Sequence, residues 1–396
     1  MGDFKSSLSD SERIRLLELR RDIHRHPELG FEETRTAGVV ADELRGLGLE
    51  PKTGLGKTGV SALIAGRGVE NEGPTVLLRA DMDALRVTEV EGRVYRSENE
   101  GLMHACGHDA HVATLLTACS VLKREADELP GCVQAIFQPA EEGMGGAKAM
   151  IADGVLDLHK PSAAFALHYW SGLPTGTVAV TPGCIMGAVD EFHLSIIGRG
   201  GHGAIPQNAV DAIVAASAVV TALQLLVSRL NDPLESVVCT VGQFNAGSGF
   251  NIIAGEADLT GTLRCMNTSI WEQLPGQFEE IVAGVCRAHA CTYDLDYIRV
   301  DRPLINDTEM SAMVREVAGD LVGKDHVTDF RTLGGEDMGD FLNRLPGCFF
   351  FIGAGNLAKG IDAAHHHPAF DIDEDALPIG AEMLIRTARA YLKRQK

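Results

Sequence analysis

From Ser9 the stretch SDSERIRLLELRRDIHRHPELG repeats apolar residues at helical spacing. Ser9 and Glu12 form a capping-box pair, and Pro27 and Gly30 supply the stop. A second amphipathic helix is predicted from Glu33 to Leu47. Short apolar runs then alternate with helical stretches. VSALIAG (60–66), TVLLRAD (75–81), CVQAIFQ (132–138) and AAFALH (163–168) read as buried strands, and helices are predicted after Asp109 and near Ala147 to Ala152. This βαβ rhythm predicts an α/β fold with a mainly parallel sheet covered on both faces.

Around Thr181-Pro182-Gly183 the pattern changes. DEFHLSIIGRGGHG (190–203) alternates, a helix is predicted from Ala209 to about Leu230, and SVVCTVGQFNAG (236–247) and ADLTGTLRCMN (257–267) follow as strands. A helix near Trp271 to His289 and the strand TYDLDYIRV (292–300) complete the series. Strand-helix-strand-strand-helix-strand is the order of a ferredoxin-like α+β sandwich of about 100 residues. The sheet pattern resumes with CFFFIG (348–353), and a last helix starts near Asp375. The expected organisation is an α/β domain in two parts, 1–185 and 303–396, around an insertion at 186–302.

A chain of 396 residues fits this two-domain reading, and 45% hydrophobic with 23% charged residues describes an ordinary globular protein. Its 35 Lys and Arg against 55 Asp and Glu give a net charge of −20, which argues against nucleic acid and anionic membranes as partners. No apolar run reaches the ~18–20 residues of a membrane span, and the start MGDFKSSLSDSERIRLLELRR has no apolar leader core, so a cytoplasmic location is expected. Nine cysteines, mostly inside apolar segments, suggest reduced buried thiols. Cys106 differs, because its neighbours are polar.

It lies in MHACGHDAH (103–111), where three histidines, a cysteine and an aspartate crowd a helix start. Cys106 and His108, two apart, suit zinc and similar borderline metals, although the spacing alone leaves the binding histidines open. QPAEEG (138–143) puts Glu141 and Glu142 after a buried strand, where α/β enzymes place their sites. His168 ends the run AAFALH in the same manner, and AHHHPAF (364–370) supplies another imidazole. Cys106, His108, Glu142, His168 and one of His365 to His367 are ligands enough for two ions, with Glu141 left to serve as a base for hydrolysis.

MHACGHDAH, QPAEEGMGGAKAMIADGVL, ALH and HHPAFDIDEDALPIGAEML, in that order, resemble the hippurate hydrolase and indole-acetyl-amino-acid hydrolase group, which belongs with the dimetal aminoacylases and carboxypeptidases. The likeness runs from RRDIHRHPELGFEE (20–33) through the last helix. It implies a catalytic domain with a dimerising lid and two divalent ions per subunit, zinc, manganese or cobalt. Cys106 would bridge them, His108 and His168 would complete one site, and Glu142 with His366 the other. Glu141 matches the general base and Asp83 a carboxylate that orients the site. In the lid, His202 would reach into the partner's active site to hold the oxyanion, and Asn251 and Arg264 match positions near the substrate. The family usually has proline at the positions of Arg86 and Ala254, and histidine at that of Gln207, departures that bear on substrate preference.

The resemblance implies a homodimer, or a higher oligomer, that hydrolyses N-acyl amino acids to a carboxylate and a free amino acid. The alternatives in the same family are an N-acetyl-diaminopimelate deacetylase and a dipeptidase or carboxypeptidase. From other classes, Cys106 could be a nucleophile with His108 or His111 as base, or the fold could carry a dead site that only binds. A spare base at Glu141 argues against the last.

Overall fold

The computed structural model describes residues 6–66 and 73–395; Met1–Lys5, part of the stretch read for a leader, lie outside the described residues. The chain forms two compact units. One comprises Met1–Gly183, Ile305–Arg331 and Asp337–Lys396, the other Cys184–Leu304 and Thr332–Glu336.

In the first unit eight strands form one sheet: β1 (Lys52–Leu55), β2 (Gly59–Ala65), β3 (Thr75–Asp81), β4 (Cys132–Gln138), β5 (Ala163–Pro174), β6 (Val178–Ala179), β7 (Val327–Thr328) and β8 (Gly347–Gly355). Their order is β1-β2-β4-β3-β5-β8-β6-β7. The centre, β4-β3-β5-β8, is parallel, whereas β1 and β2, β2 and β4, and β8 and β6 pair antiparallel. The sheet is therefore mixed at its margins and parallel where the crossovers run.

Every residue of β3 and β4 is buried, as a strand covered on both faces requires. Alternate positions divide the work. Val76, Leu78, Ala80, Val133, Ala135, Phe137, Phe165, Leu167, Phe350 and Ile352 join the main core. That core receives α1 (Asp10–Arg25), α2 (Thr34–Gly46), α3 (His108–Arg124), α5 (Thr308–Val322) and α6 (Leu377–Arg394). The opposite parity carries Arg79, Asp81, Gln138 and His168, and α4 (Gly146–Ala152) packs against β4. One register thus keeps the core-facing parity apolar and places the strands' charged and imidazole side chains on the other face.

The capping box at Ser9 is present, with both reciprocal bonds. Glu33, expected to open α2, stands at its N-cap position without capping it. Its carboxylate instead accepts from Ala140 N–H at 2.8 Å and Thr58 Oγ1–H at 2.6 Å. β5 runs on to Pro174, so His168 lies within a strand and not at its end. It is nevertheless level with the carboxyl end of β3, since Arg79 pairs with Ala166.

In the second unit four antiparallel strands have the order Val237–Ala246, Glu256–Cys265, Ala188–Ile197, Thr292–Asp301. Second, third, first, fourth is the ferredoxin-like arrangement, and helices Ala212–Ala222 and Thr268–Ala288 complete it. Phe192 and Phe278 meet in its core with ring centroids 4.7 Å apart. The helix expected from Ala209 to Leu230 starts later and is broken. Pro206–Asn208 form a 3-10 turn, Asp211 caps Ile213 and Val214, and the helix divides into Ala212–Ala222 and Gln224–Ser228.

Gly146, at the start of α4, supports the turn after β4: a Cβ there would lie 1.6 Å from Pro139 O. Gly146→Ala must displace backbone, and a loss of about 1–3 kcal/mol is expected in denaturant unfolding, with wild-type stability as the contrary result.

Candidate metal centre

The stretch between β3 and α3 is fixed at both ends. Met103 and Leu85 exchange backbone hydrogen bonds of 3.0 Å, and Gly107, at φ +92, turns the chain into α3. That φ suits glycine and strains other residues. His366 N–H donates to Ala105 O at 2.8 Å, which brings the last histidine-bearing loop alongside.

The loop after β4 is held by two carboxylates. Glu33 takes Ala140 N–H, while the Asp83 oxygens take Glu141 N–H and Glu142 N–H at 3.0 Å each. Asp83 also supplies a backbone oxygen to His108 Nδ1 at 2.9 Å. This fixes the proton on Nδ1 and leaves Nε2, which is buried without a hydrogen-bond partner, to act as a donor atom.

Among the groups of possible ligand atoms in the described residues, each lying within 4.8 Å of one another, are Cys106, His108 and His168, and Cys106, Glu142 and His366. Cys106 belongs to both. Its Sγ is 3.4 Å from His168 Nε2, and His366 Nε2 is 3.4 Å from Glu142 Oε1. Glu141 is buried, with Oε2 3.9 Å from His108 Nε2. Thiolate, imidazole and carboxylate are the donors that borderline divalent ions accept, so the residues present fit two such ions.

The electrostatics agree. Burial, then Glu142, Glu141 and Asp81, push the Cys106 thiol well above its usual range. An activated nucleophile needs the reverse, whereas a bound cation would stabilise the thiolate. Burial, followed by His111 and His365, holds His168 well below the usual range and hence neutral, as a ligand must be. Burial opposes protonation of His108, but Asp81, Asp83 and Glu142 overcome it and lift the group to about 10.

The other histidines have different work. His365 donates from Nε2 to Tyr169 O at 3.0 Å and stacks on Trp170, and His367 Nδ1 accepts from Ala369 N–H. His111 lies between Asp81 Oδ1, 2.6 Å from Nδ1, and Tyr169 N–H, which donates to its Nε2. His104 is buried with neither ring nitrogen hydrogen-bonded. Asp81, missed from sequence, is also paired to Arg79 at 2.6 Å. Its signal was present: Arg79 and Asp81 alternate at the end of a largely apolar strand, where charge without a task is unfavourable.

In the second unit His202 and Asn251 are exposed and adjacent, because Gly201–His202 pairs with Ile252–Ile253 and Gly203 N–H donates to Asn251 O at 2.8 Å. Arg264 is half-buried on Glu256–Cys265 and donates to Thr262 Oγ1 and Leu263 O. Arg86 and Gln207 are exposed, and Ala254 is buried.

An α/β sheet carrying paired donor triads beside a buried glutamate, in a chain with a ferredoxin-like insertion, defines the metallohydrolase class. The family model "Peptidase family M20/M25/M40" matches residues 77–390, and the chain belongs to that family. It is therefore a hydrolase acting on amide bonds. It is 39% identical over 379 residues to IAA-amino acid hydrolase ILR1-like 4 of Arabidopsis thaliana, covering 94% of this chain and 85% of the relative. N-acetyl-L-cysteine deacetylase of Bacillus subtilis is 38% identical over 378 residues, covering 95% and 88%. The structure of the Bacillus subtilis YxeP protein, a dinuclear metal-binding peptidase from the M20 family, superposes with a TM-score of 0.84 at 30% identity, covering 97% of this chain and 99% of that one.

Asp83→Ala removes both acceptors from the Glu141-Glu142 backbone. Affinity for divalent metal should fall about 10–100-fold, read from metal retained on dialysis, and unchanged retention would contradict the clamp.

Proposed function

We propose that this chain is a two-metal amidohydrolase that cleaves the amide bond of N-acyl amino acids, releasing a carboxylate and a free amino acid. The observation that carries this reading is the pair of donor triads sharing Cys106, with buried Glu141 beside them. The names of the Arabidopsis and Bacillus relatives, one specifying an IAA-amino acid and the other N-acetyl-L-cysteine, support an acylated amino acid as substrate.

Cys106, His108 and His168 would hold one ion, and Cys106, Glu142 and His366 the other, with zinc, manganese and cobalt all compatible with the donors. When bound, such ions supply Lewis acidity to the scissile carbonyl and to a water. Glu141 takes the proton of the attacking water and delivers it to the leaving amine nitrogen. Asp83 positions Glu141 and Glu142 through their backbone. His202 of the partner subunit holds the oxyanion, and Asn251 and Arg264 bind the substrate, the guanidinium suiting a carboxylate.

A homodimer through the second unit is supported by its apolar surface. Ile213, Val214 and Leu225 are exposed on the helices near the edge strand Val237–Ala246, which itself exposes Val238 and Phe244. A cytoplasmic location fits nine free cysteines. Among the described residues no helix is long and apolar enough to cross a membrane.

Treatment with EDTA should abolish hydrolysis of hippurate, N-acetyl and indole-acetyl amino acids, with recovery on adding zinc, manganese or cobalt. Glu141→Gln should retain both ions but lose about 10²–10⁴-fold in kcat. Normal turnover by that variant, or activity that survives chelation, would overturn the reading.

His202→Ala should lower kcat about 10²–10³-fold without changing metal content. Mixed dimers of His202→Ala and Glu141→Gln should regain part of the activity. Confirmed mixed dimers without recovery would exclude service across the interface.

A further inference from the structure

Arg20 and His24 lie one turn apart on the buried face of α1, and both are almost wholly enclosed. A buried guanidinium is strongly unfavourable unless acceptors surround it. The acceptors around Arg20 come from two segments that also carry donor-triad residues. Nε forms an ion pair, without a hydrogen bond, at 3.0 Å from Oδ2 of Asp109, the neighbour of His108. Nη2 lies 2.8 Å from Asp371 Oδ1 and Nη1 3.2 Å from Glu374 Oε1, both downstream of His366.

Further contacts hold the same pieces. His24 reaches Asp109 Oδ2 from Nδ1 at 2.8 Å and Glu89 Oε1 from Nε2 at 3.2 Å. Glu89 pairs with Arg93, which donates to Phe370 O at 2.8 Å. The Arg20 guanidinium carbon lies 4.5 Å from the centroid of the Tyr95 ring, whose hydroxyl donates to Asp371 Oδ2 at 2.9 Å. Arg20 is therefore the one fork in this cluster that grips both the His108 side and the His366 side.

We propose that Arg20 is a positioning residue that sets the span between the two donor triads, acting through Asp109 on one side and Asp371 with Glu374 on the other. This rests on the two-metal reading of the site. The effect should fall unequally. His108 and His168 are buried in packed surroundings, whereas the His366 side chain is 53% exposed. Slack introduced at Arg20 should therefore loosen the Cys106–Glu142–His366 triad first.

The test is calorimetric titration of the full-length, metal-stripped protein with Zn²⁺, with thermal unfolding measured alongside. Wild type should take two ions per chain. Arg20→Gln should hold the first nearly as tightly and bind the second about 10–100-fold more weakly, with kcat recovering as zinc is raised. Arg20→Lys should not restore the second ion, because one ammonium does not span three carboxylates. If Arg20→Gln does not fold, Glu374→Gln removes one arm of the fork from a partly exposed position and should weaken the second ion about two- to fivefold. Two ions bound by the folded variant at wild-type affinity, or equal weakening of both, overturns the inference alone. A wild-type chain that takes fewer than two ions overturns the two-metal reading and this inference with it.

Discussion

Negative charge concentrated in a buried place is the constraint from which the first unit's organisation follows. Asp81, Asp83 and Glu141 are buried near one another, with Glu142 half-buried beside them and Cys106 next to hand. In a low dielectric such a group is tenable only if cations and donors surround it. Arg79 meets Asp81, backbone N–H groups meet Asp83, and the surrounding carboxylates favour a positive charge at His108. The parallel sheet gathers these residues because the carboxyl ends of its central strands converge on one edge.

Around this centre a second ring of charge ties the pieces that the strands do not control. Asp337 accepts from Arg79 at 2.8 Å and from Ala147 N–H at 2.9 Å, linking β3 to α4. Arg20, His24 and Arg93 do the corresponding task on the other side. The polar parity of the central strands is thus occupied by structure that serves one edge of the sheet. The hydrophobic parity supplies the stability that makes so much buried charge tolerable, at about 1.5–3 kcal/mol for each fully buried large apolar side chain.

What was legible in the sequence was what local patterning controls. TVLLRAD and CVQAIFQ are strands with the bounds expected, because burial on both faces leaves an uninterrupted apolar run. The order of the insertion's elements, strand-helix-strand-strand-helix-strand, was readable from alternating strands and helix-length segments. Ends and breaks were less legible. The second helix runs within one residue of its expected ends although the Glu33 carboxylate goes to Ala140 and Thr58, the 209–230 segment starts late at Asp211 and divides after Ala222, and β5 continues past His168 because β8 pairs with it as far as Pro174. The donor residues stood out through their chemistry, yet Asp81 and Arg20 passed as ordinary strand and helix residues. The acceptors of Arg20, and the His111 that Asp81 meets, lie far along the chain, where no periodicity points.

The clamp on the Glu141 loop has one more implication. Asp83 and Glu33 grip backbone N–H groups, which every residue but proline possesses, so they are blind to the side chains the loop presents. The shape of the segment is set from outside itself. Positions 141 and 142 can therefore be rewritten by mutation without the frame being redrawn, which makes this turn a place where a lineage could change its chemistry while inheriting its architecture intact.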